Sequence, residues 1–333
     1  MTSERTYEEH PFAQYVRILG KGKKGSRSLT LEEAECAMGM ILDEQVEPEQ
    51  LGAFLMLLRV KEETGEELAG FVKAVKHRIQ APEGMHADLD WSSYAGKRRH
   101  LPWFLLSIFL LAENKHRVFI HGASGHTADR IYTDDVLNDL GFSSATNWQA
   151  AKSQLEAQAF TFMPLAHINK KLDSLINLRP IMGLRSPVHS LARLINPLNA
   201  KTVLQGIFHP PYSQLHQDAG KLLAYDYLSV IKGEGGEIER NPDNELTART
   251  VTKDGLYDEV WPALFARRHV KGTDLSASYL SKVWQGKEND EYGQAATTST
   301  LALALKSLGT AKTQDEAIDL ANTYWSNRNK TFI

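Results

Sequence analysis

The chain has 333 residues, 42% of them hydrophobic and 24% charged, with a formal net charge of −3, which is enough material for two domains around a sizeable core. Its single cysteine, Cys36, excludes a disulfide framework within one chain. No apolar run approaches the roughly 20 residues that span a bilayer, and the N-terminus, MTSERTYEEH, is polar and acidic, so the expectation is a cytoplasmic protein with no membrane partner.

A first helix is expected before residues 20–27, GKGKKGSR, a loop of four cations and three glycines. Thr30 followed by Glu33 is a capping box that opens a second helix, and Pro48 sits where a third begins. Leu51, Phe54, Leu55 and Leu58 recur at helical spacing, with Glu and Lys on the opposite faces. Cys36 shares a helical stripe with Met40 and reads as a buried, small apolar group rather than a nucleophile.

After Glu83 the pattern changes to helices alternating with short apolar strands, at residues 117–121 (RVFIH), 159–163 (AFTFM) and 201–205 (KTVLQ). Such alternation predicts an α/β domain with a mostly parallel sheet. Ligands in that architecture sit beyond the carboxyl ends of strands, which makes His121, Gly122 and the residues after Trp91 natural ligand positions. Two further basic clusters stand out, KRRH at residues 97–100 and RRHVK at residues 267–271. Residues 233–243 read as a loop, and Trp91, Trp103 and Trp148 as core anchors.

Residues 178–200, LRPIMGLRSPVHSLARLINPLNA, resemble a binding segment of anthranilate phosphoribosyltransferases, R-x-x-L-G-x-R-T-x-F-N-x-L-G-P-L-x-N-P. Arg179, Gly183, Arg185, Leu191, Leu194, Asn196 and Pro197 fall in register, whereas Ser186, His189, Ala192 and Arg193 depart from the pattern. Residues 30–75 look like the small helical domain that opens these enzymes, and residues 297–325 give a weaker match. The resemblance implies the nucleoside phosphorylase and phosphoribosyltransferase type of fold. A small all-helical N-terminal domain would span residues 1–80, completed by helices within 165–192. A large α/β domain would span residues 81–333.

The same resemblance implies where chemistry should lie, and several of its groups are replaced. The glycine-rich turn G-T-G-G-D-G that cradles a diphosphate aligns with SSYAGK at residues 92–97, which keeps one glycine, Gly96, and places a tyrosine in the turn. In IHGASGHTADRIYTDDVLNDLG, residues 120–141, His121 and Gly122 match the second phosphate element, but its asparagine is Ala123. Where the enzymes carry an Asp-Glu metal pair, this chain has Glu237 and Ile238, leaving Glu237 as the candidate Mg²⁺ ligand, with Glu234 or Glu239 as substitutes. Arg179 matches the arginine that lies at the aromatic carboxylate in the enzymes, and a guanidinium grips a carboxylate through two parallel hydrogen bonds.

A loop carrying Gly20, Lys21, Gly22, Lys23 and Arg27, with a turn carrying Ser93, Tyr94, Gly96 and Arg98, is similar to the YbiB-type branch of this family, which is associated with homodimers that bind nucleic acid. That branch implies a homodimer through the helical domain, with Lys21, Lys23, Lys24, Arg27, Lys97, Arg98 and Arg99 on nucleic-acid phosphates. The alternative is a divergent Mg-dependent phosphoribosyltransferase acting on an aromatic acid or nucleobase-like acceptor. Ser93, Gly96, Lys97, Arg98, His121 and Gly122 would then hold phosphoribosyl pyrophosphate, and Arg179 the acceptor.

Overall fold

A computed structural model describes residues 8–270, 272 and 274–333, so Lys271 of the RRHVK cluster lies outside the described residues. The helical part opens with α1 (Ala13–Gly20), α2 (Leu31–Leu42), α3 (Pro48–Lys61) and α4 (Gly65–Lys76). Local chemistry sets these boundaries. Thr30 and Glu33 exchange side-chain and backbone hydrogen bonds at the start of α2, Pro48 occupies the first turn of α3, and Thr64 and Glu67 form a second capping box before α4.

The second part begins with β1 (Leu89–Ser93), α5 (Phe104–Glu113), β2 (Val118–Gly122), α6 (Thr133–Asp139), α7 (Trp148–Gln158) and β3 (Phe160–Pro164). Four short helices follow: α8 (Leu165–Ile168), α9 (Lys170–Ile176), α10 (Arg179–Met182) and α11 (Val188–Leu191). Then come β4 (Thr202–Ile207), α12 (Pro211–Leu222), β5 (Tyr227–Lys232), β6 (Leu246–Thr252) and β7 (Gly255–Trp261). The chain closes with α13 (Ala277–Gln285), α14 (Glu291–Ser307) and α15 (Gln314–Asn327).

The seven strands form one sheet in the order β3-β2-β1-β4-β5-β6-β7. β1 to β5 pair in parallel, while β6 and β7 run antiparallel. The chain grows outward from β1 to β3 and then returns to the other side of β1 with β4. The order reverses there, and the carboxyl ends of β1, β2, β4 and β5 open around that crevice, the usual ligand position of such sheets.

Alternating residues send the two faces of the sheet into separate apolar clusters. Phe119, Met163, Val203, Leu228 and Val230 pack with α2, α3, α4 and the segment 165–198, so the short helices α8, α9 and α11 share the apolar cluster of the helical part. Leu89, Trp91, Val118, Ile120 and Leu204 pack on the other face with α5, α14 and α15. α5, with the sequence FLLSIFLLAE, has nine buried residues of ten, which places it inside that second layer.

The expected strands are present, each shifted one residue toward the C-terminus at its start. Trp91 and Trp103 are buried, and Trp148 is partly buried against Phe119. The reading of Cys36 as a buried group is corrected: it is exposed, because the buried face of α2 consists of Ala34, Ala37, Met38, Ile41 and Leu42.

The closest approach in the helical part is at Gly70 of α4, where an added Cβ would lie 2.3 Å from the Leu31 carbonyl oxygen and 2.8 Å from Ala34 Cβ. Gly70→Ala gains helix propensity of up to about 1 kcal/mol, yet it forces α2 and α4 apart. We expect a net loss of about 1–3 kcal/mol in urea denaturation, and an unchanged or raised midpoint would contradict this packing.

Candidate functional site

β1 ends in the turn Tyr94-Ala95-Gly96-Lys97, with a positive φ of 66° at Gly96, and the amides of Ala95 and Gly96 point the same way. Such a pair of convergent N–H groups is an anion nest. A side chain of the same molecule fills it: both amides donate to Glu237 Oε1, each at 2.6 Å. Glu237 is 1% exposed. Its backbone is pinned independently, since a Cβ on Gly206 would come within 2.4 Å of the Glu237 carbonyl carbon, and one on Gly233 within 1.5 Å of its oxygen.

Lys97 turns inward from the same turn. Its Nζ lies 2.6 Å from Glu239 Oε1 and 3.1 Å from the Glu234 carbonyl oxygen, and the residue is 1% exposed. The other oxygen of Glu239 accepts from the Phe104 amide at 2.9 Å, which caps α5. Burial pushes the Glu239 carboxyl up to about 7, against the pull of the Lys97 ammonium. Glu234 Oε2 accepts from Asn241 at 2.9 Å. Glu239 is thus engaged through both oxygens, Glu234 and Glu237 are each bonded through one, and Glu237 Oε2 is buried without a partner among the described residues.

No group of three potential metal ligands occurs among the described residues. With Ile238 buried in the apolar core beside Glu237, the residues do not fit a hard divalent cation, which needs several oxygen ligands.

His121 and Gly122 are interior. The His121 ring spans Tyr94 Oη at 2.7 Å and Asp90 Oδ2 at 3.2 Å, and a Cβ on Gly122 would lie 2.0 Å from the Ser93 carbonyl oxygen. Ser93 Oγ pairs with Thr133 Oγ1 at 2.7 Å. Ser93, Gly96, Lys97, His121 and Gly122 are all buried, and the side chains of Ser93, Lys97 and His121 bond to Thr133, Glu239, and Tyr94 with Asp90. Arg98 and Arg99 face solvent.

Lys21, Lys23 and Lys24 are exposed in the loop after α1. Arg27 holds both oxygens of Glu33, at 2.6 and 2.7 Å, and that pairing keeps the Glu33 carboxyl down at about 2. In the third basic cluster His269 is held by Asp243, at 2.6 Å, and Glu291, at 3.3 Å, while Arg267 and Arg268 are exposed.

A second feature was not singled out as a unit in the sequence. Arg130, Arg179, Arg185 and Arg193 converge beside the turn, and none forms an ion pair among the described residues. Arg130 donates to the Gly96 carbonyl at 2.9 Å. Arg179 donates to Thr127 Oγ1 at 2.7 Å and to the His126 carbonyl at 3.3 Å, and Arg185 to the same hydroxyl at 3.2 Å. Arg193 donates to the Gly206 carbonyl at 3.1 Å.

Burial, then the charges of Arg179, Arg130 and Arg193, brings the Arg185 guanidinium down to about 10. The site is short of negative charge. His126 and Arg130 lie directly after the carboxyl end of β2, the signal that could have pointed to them.

Burial holds three nearby imidazoles neutral, His126 down to about 4 and His189 and His216 to about 3. Their folded values lie below the ordinary 6.5, so the unfolded chain takes up more protons, and stability present above pH 6.5 is lost as pH falls through that range. Glu239 contributes with the opposite sign between about 4.5 and 7, and Glu63, also raised by burial, acts in the same direction, two carboxyls of this site against three imidazoles. We expect a lower urea midpoint at pH 5 than at pH 7.5; an equal or higher midpoint would contradict the buried neutral histidines.

A family model described as the helical bundle domain of a glycosyl transferase family matches residues 14–78. An anthranilate phosphoribosyltransferase of Bacillus subtilis is 29% identical, with 89% of each chain covered. An uncharacterized protein of Aquifex aeolicus is 28% identical over 74% of both chains, and the uncharacterized protein YbiB of Escherichia coli is 24% identical over 79% of this chain and 82% of its own. Among solved structures, the anthranilate phosphoribosyltransferase of Thermus thermophilus superposes with a TM-score of 0.77 at 19% identity, covering 96% of this chain and 95% of the other.

The enzyme of Saccharomyces cerevisiae in complex with phosphoribosyl pyrophosphate and Mg gives the same TM-score of 0.77 at 15% identity, over 96% and 94%. At these identities the structural likeness speaks to the fold. Together with the helical bundle match and the sequence relatives, it shows a chain with the fold of the anthranilate phosphoribosyltransferases and similar to them in sequence over most of its length.

Proposed function

We propose that this protein is a nucleic-acid-binding homodimer built on the transferase scaffold, with a phosphoribosyl pyrophosphate site that no longer accepts its ligand. One observation carries the second half of this reading: the two amides that would meet a diphosphate already hold Glu237 Oε1 at 2.6 Å. A diphosphate would have to displace a buried carboxylate and then face its negative charge. Transfer of a phosphoribosyl group depends above all on stabilising the leaving diphosphate, and here both the amides and Lys97 are committed elsewhere.

Nucleic-acid binding is supported by the cations that remain uncommitted. Lys21, Lys23, Lys24, Arg98 and Arg99 face solvent on two loops. Arg27 and Lys97, paired with Glu33 and Glu239, drop out of the contact set. Phosphate contacts of this kind give sequence-independent, salt-sensitive affinity. A dimer face on the helical part is supported by Val60 of α3, which is 81% exposed, and a dimer there would double each basic loop. The alternative, a divergent transferase, is favoured by Arg179, which keeps the family's register and lies part-buried beside the turn.

The test is binding of labelled single-stranded and duplex oligonucleotides across a salt series, with phosphoribosyl pyrophosphate as competitor. We expect affinity that falls steeply with salt and is untouched by the competitor. Lys23→Glu with Lys24→Glu should weaken binding and reduce the logarithmic salt slope by about two. Absence of binding would reject the nucleic-acid reading, and competition would restore the donor pocket.

A further inference from the structure

The residues that break the family's binding segment are gathered in one place. Of the four departures, Ser186, His189 and Arg193 line a cavity of about 130 Å³ where α3, α11, the end of β4 and α12 meet. That is well below the roughly 300 Å³ at which pockets for drug-sized ligands begin. Its size suits a small ion.

The lining carries three arginines, Arg59, Arg185 and Arg193, and a single acid, Glu63. The arginines are held by neutral partners: Arg59 donates to Tyr212 Oη at 3.0 Å, Arg185 to Thr127 Oγ1 at 3.2 Å, and Arg193 to the Gly206 carbonyl at 3.1 Å and to that of His189. Glu63 accepts from Ser190 Oγ at 3.0 Å, and burial raises its carboxyl toward the neutral form. Glu63 lies within electrostatic reach of Arg59 and Glu237 of Arg193, so the compensation is partial, and the excess of arginines over the single lining acid calls for an oxyanion.

Two imidazoles narrow the choice. His189 Nδ1 lies 3.2 Å from the Ser186 carbonyl, which only accepts, so Nδ1 carries the hydrogen. His189 Nε2 is then a bare acceptor, and it is buried without a partner. His216 Nδ1 lies 2.7 Å from Gln205 Oε1, and the same amide donates through Nε2 to the Arg193 carbonyl at 2.8 Å, which fixes its orientation. His216 Nε2 is therefore also an acceptor.

We propose that this junction is a binding site for inorganic phosphate, with Arg185 and Arg193 gripping its oxygens and His189 Nε2 accepting its hydroxyl hydrogen. Inorganic phosphate keeps at least one P–O–H at neutral pH. Sulfate has none, a phosphodiester has none, and a phosphomonoester loses its own above about pH 6. The site thus selects by the proton and does not depend on the nucleic-acid reading, since diester phosphates would leave the imidazole unpaired.

The full chain, dialysed free of phosphate, is titrated calorimetrically at pH 7.5 with sodium phosphate, sodium sulfate and glycerol 3-phosphate. We expect saturable phosphate binding, about tenfold or more tighter than either competitor, because a site built around a hydroxyl rejects analogues that lack it. Arg185→Met should weaken phosphate binding. His189→Phe should weaken phosphate while leaving sulfate unchanged, a split that general loss of structure would not produce. The wild-type phosphate-to-sulfate ratio stands without either variant. No saturable phosphate binding, equal affinity for sulfate or glycerol 3-phosphate, or unchanged affinity in both folded variants would overturn the assignment.

Discussion

The contact on which the rest of the site depends is the seating of Glu237 Oε1 on the amides of Ala95 and Gly96. A buried carboxylate must be paired or hydrogen-bonded, and two short charge-assisted bonds from the turn meet that need at Oε1, while Oε2 is buried without a partner among the described residues. The same contact joins the end of β1 to the loop after β5 across the crevice of the sheet. The turn is thereby closed over its own anion, and Lys97, the next residue, is drawn onto Glu239 at the start of α5.

A consequence follows for the charge of the crevice. Glu237 and Glu239 are consumed inside the turn, while Arg130, Arg179, Arg185 and Arg193 stand on hydroxyls and carbonyl oxygens. Negative charge is fixed in the interior and positive charge is left along the junction of the two parts. The fold is that of the anthranilate phosphoribosyltransferases, and the arginines stand beside the turn at the end of β1 rather than within it.

Much of the fold was legible because it rests on short-range rules. The capping box of Thr30 and Glu33, Pro48 at the head of α3 and the apolar strands all act within a few residues; the first two are where the pattern placed them, and the strands start one residue later. The site was legible only in part. KRRH reads as one basic patch, but Lys97 is buried while Arg98 and Arg99 are exposed, because its partner Glu239 lies 142 positions away. Glu237 read as a metal ligand for the same reason: nothing local reveals that the turn at Ala95 will claim it. Cys36 failed differently: it was read on a stripe with Met40, whereas the face of α2 that is buried carries Ala34, Ala37, Met38, Ile41 and Leu42.

The central claim, that the protein's own carboxylate holds the diphosphate turn, is tested most directly by equilibrium titration of phosphoribosyl pyrophosphate with Mg²⁺ into the wild-type chain and a Glu237→Ala variant. The backbone at 237 is held by its packing on Gly206 and Gly233, so the variant loses the anion and keeps the loop. The account predicts no saturable binding to the wild type and saturable binding to the variant. Saturable, Mg-dependent binding to the wild type, lost in the variant, would contradict it and make Glu237 a ligand for the metal after all.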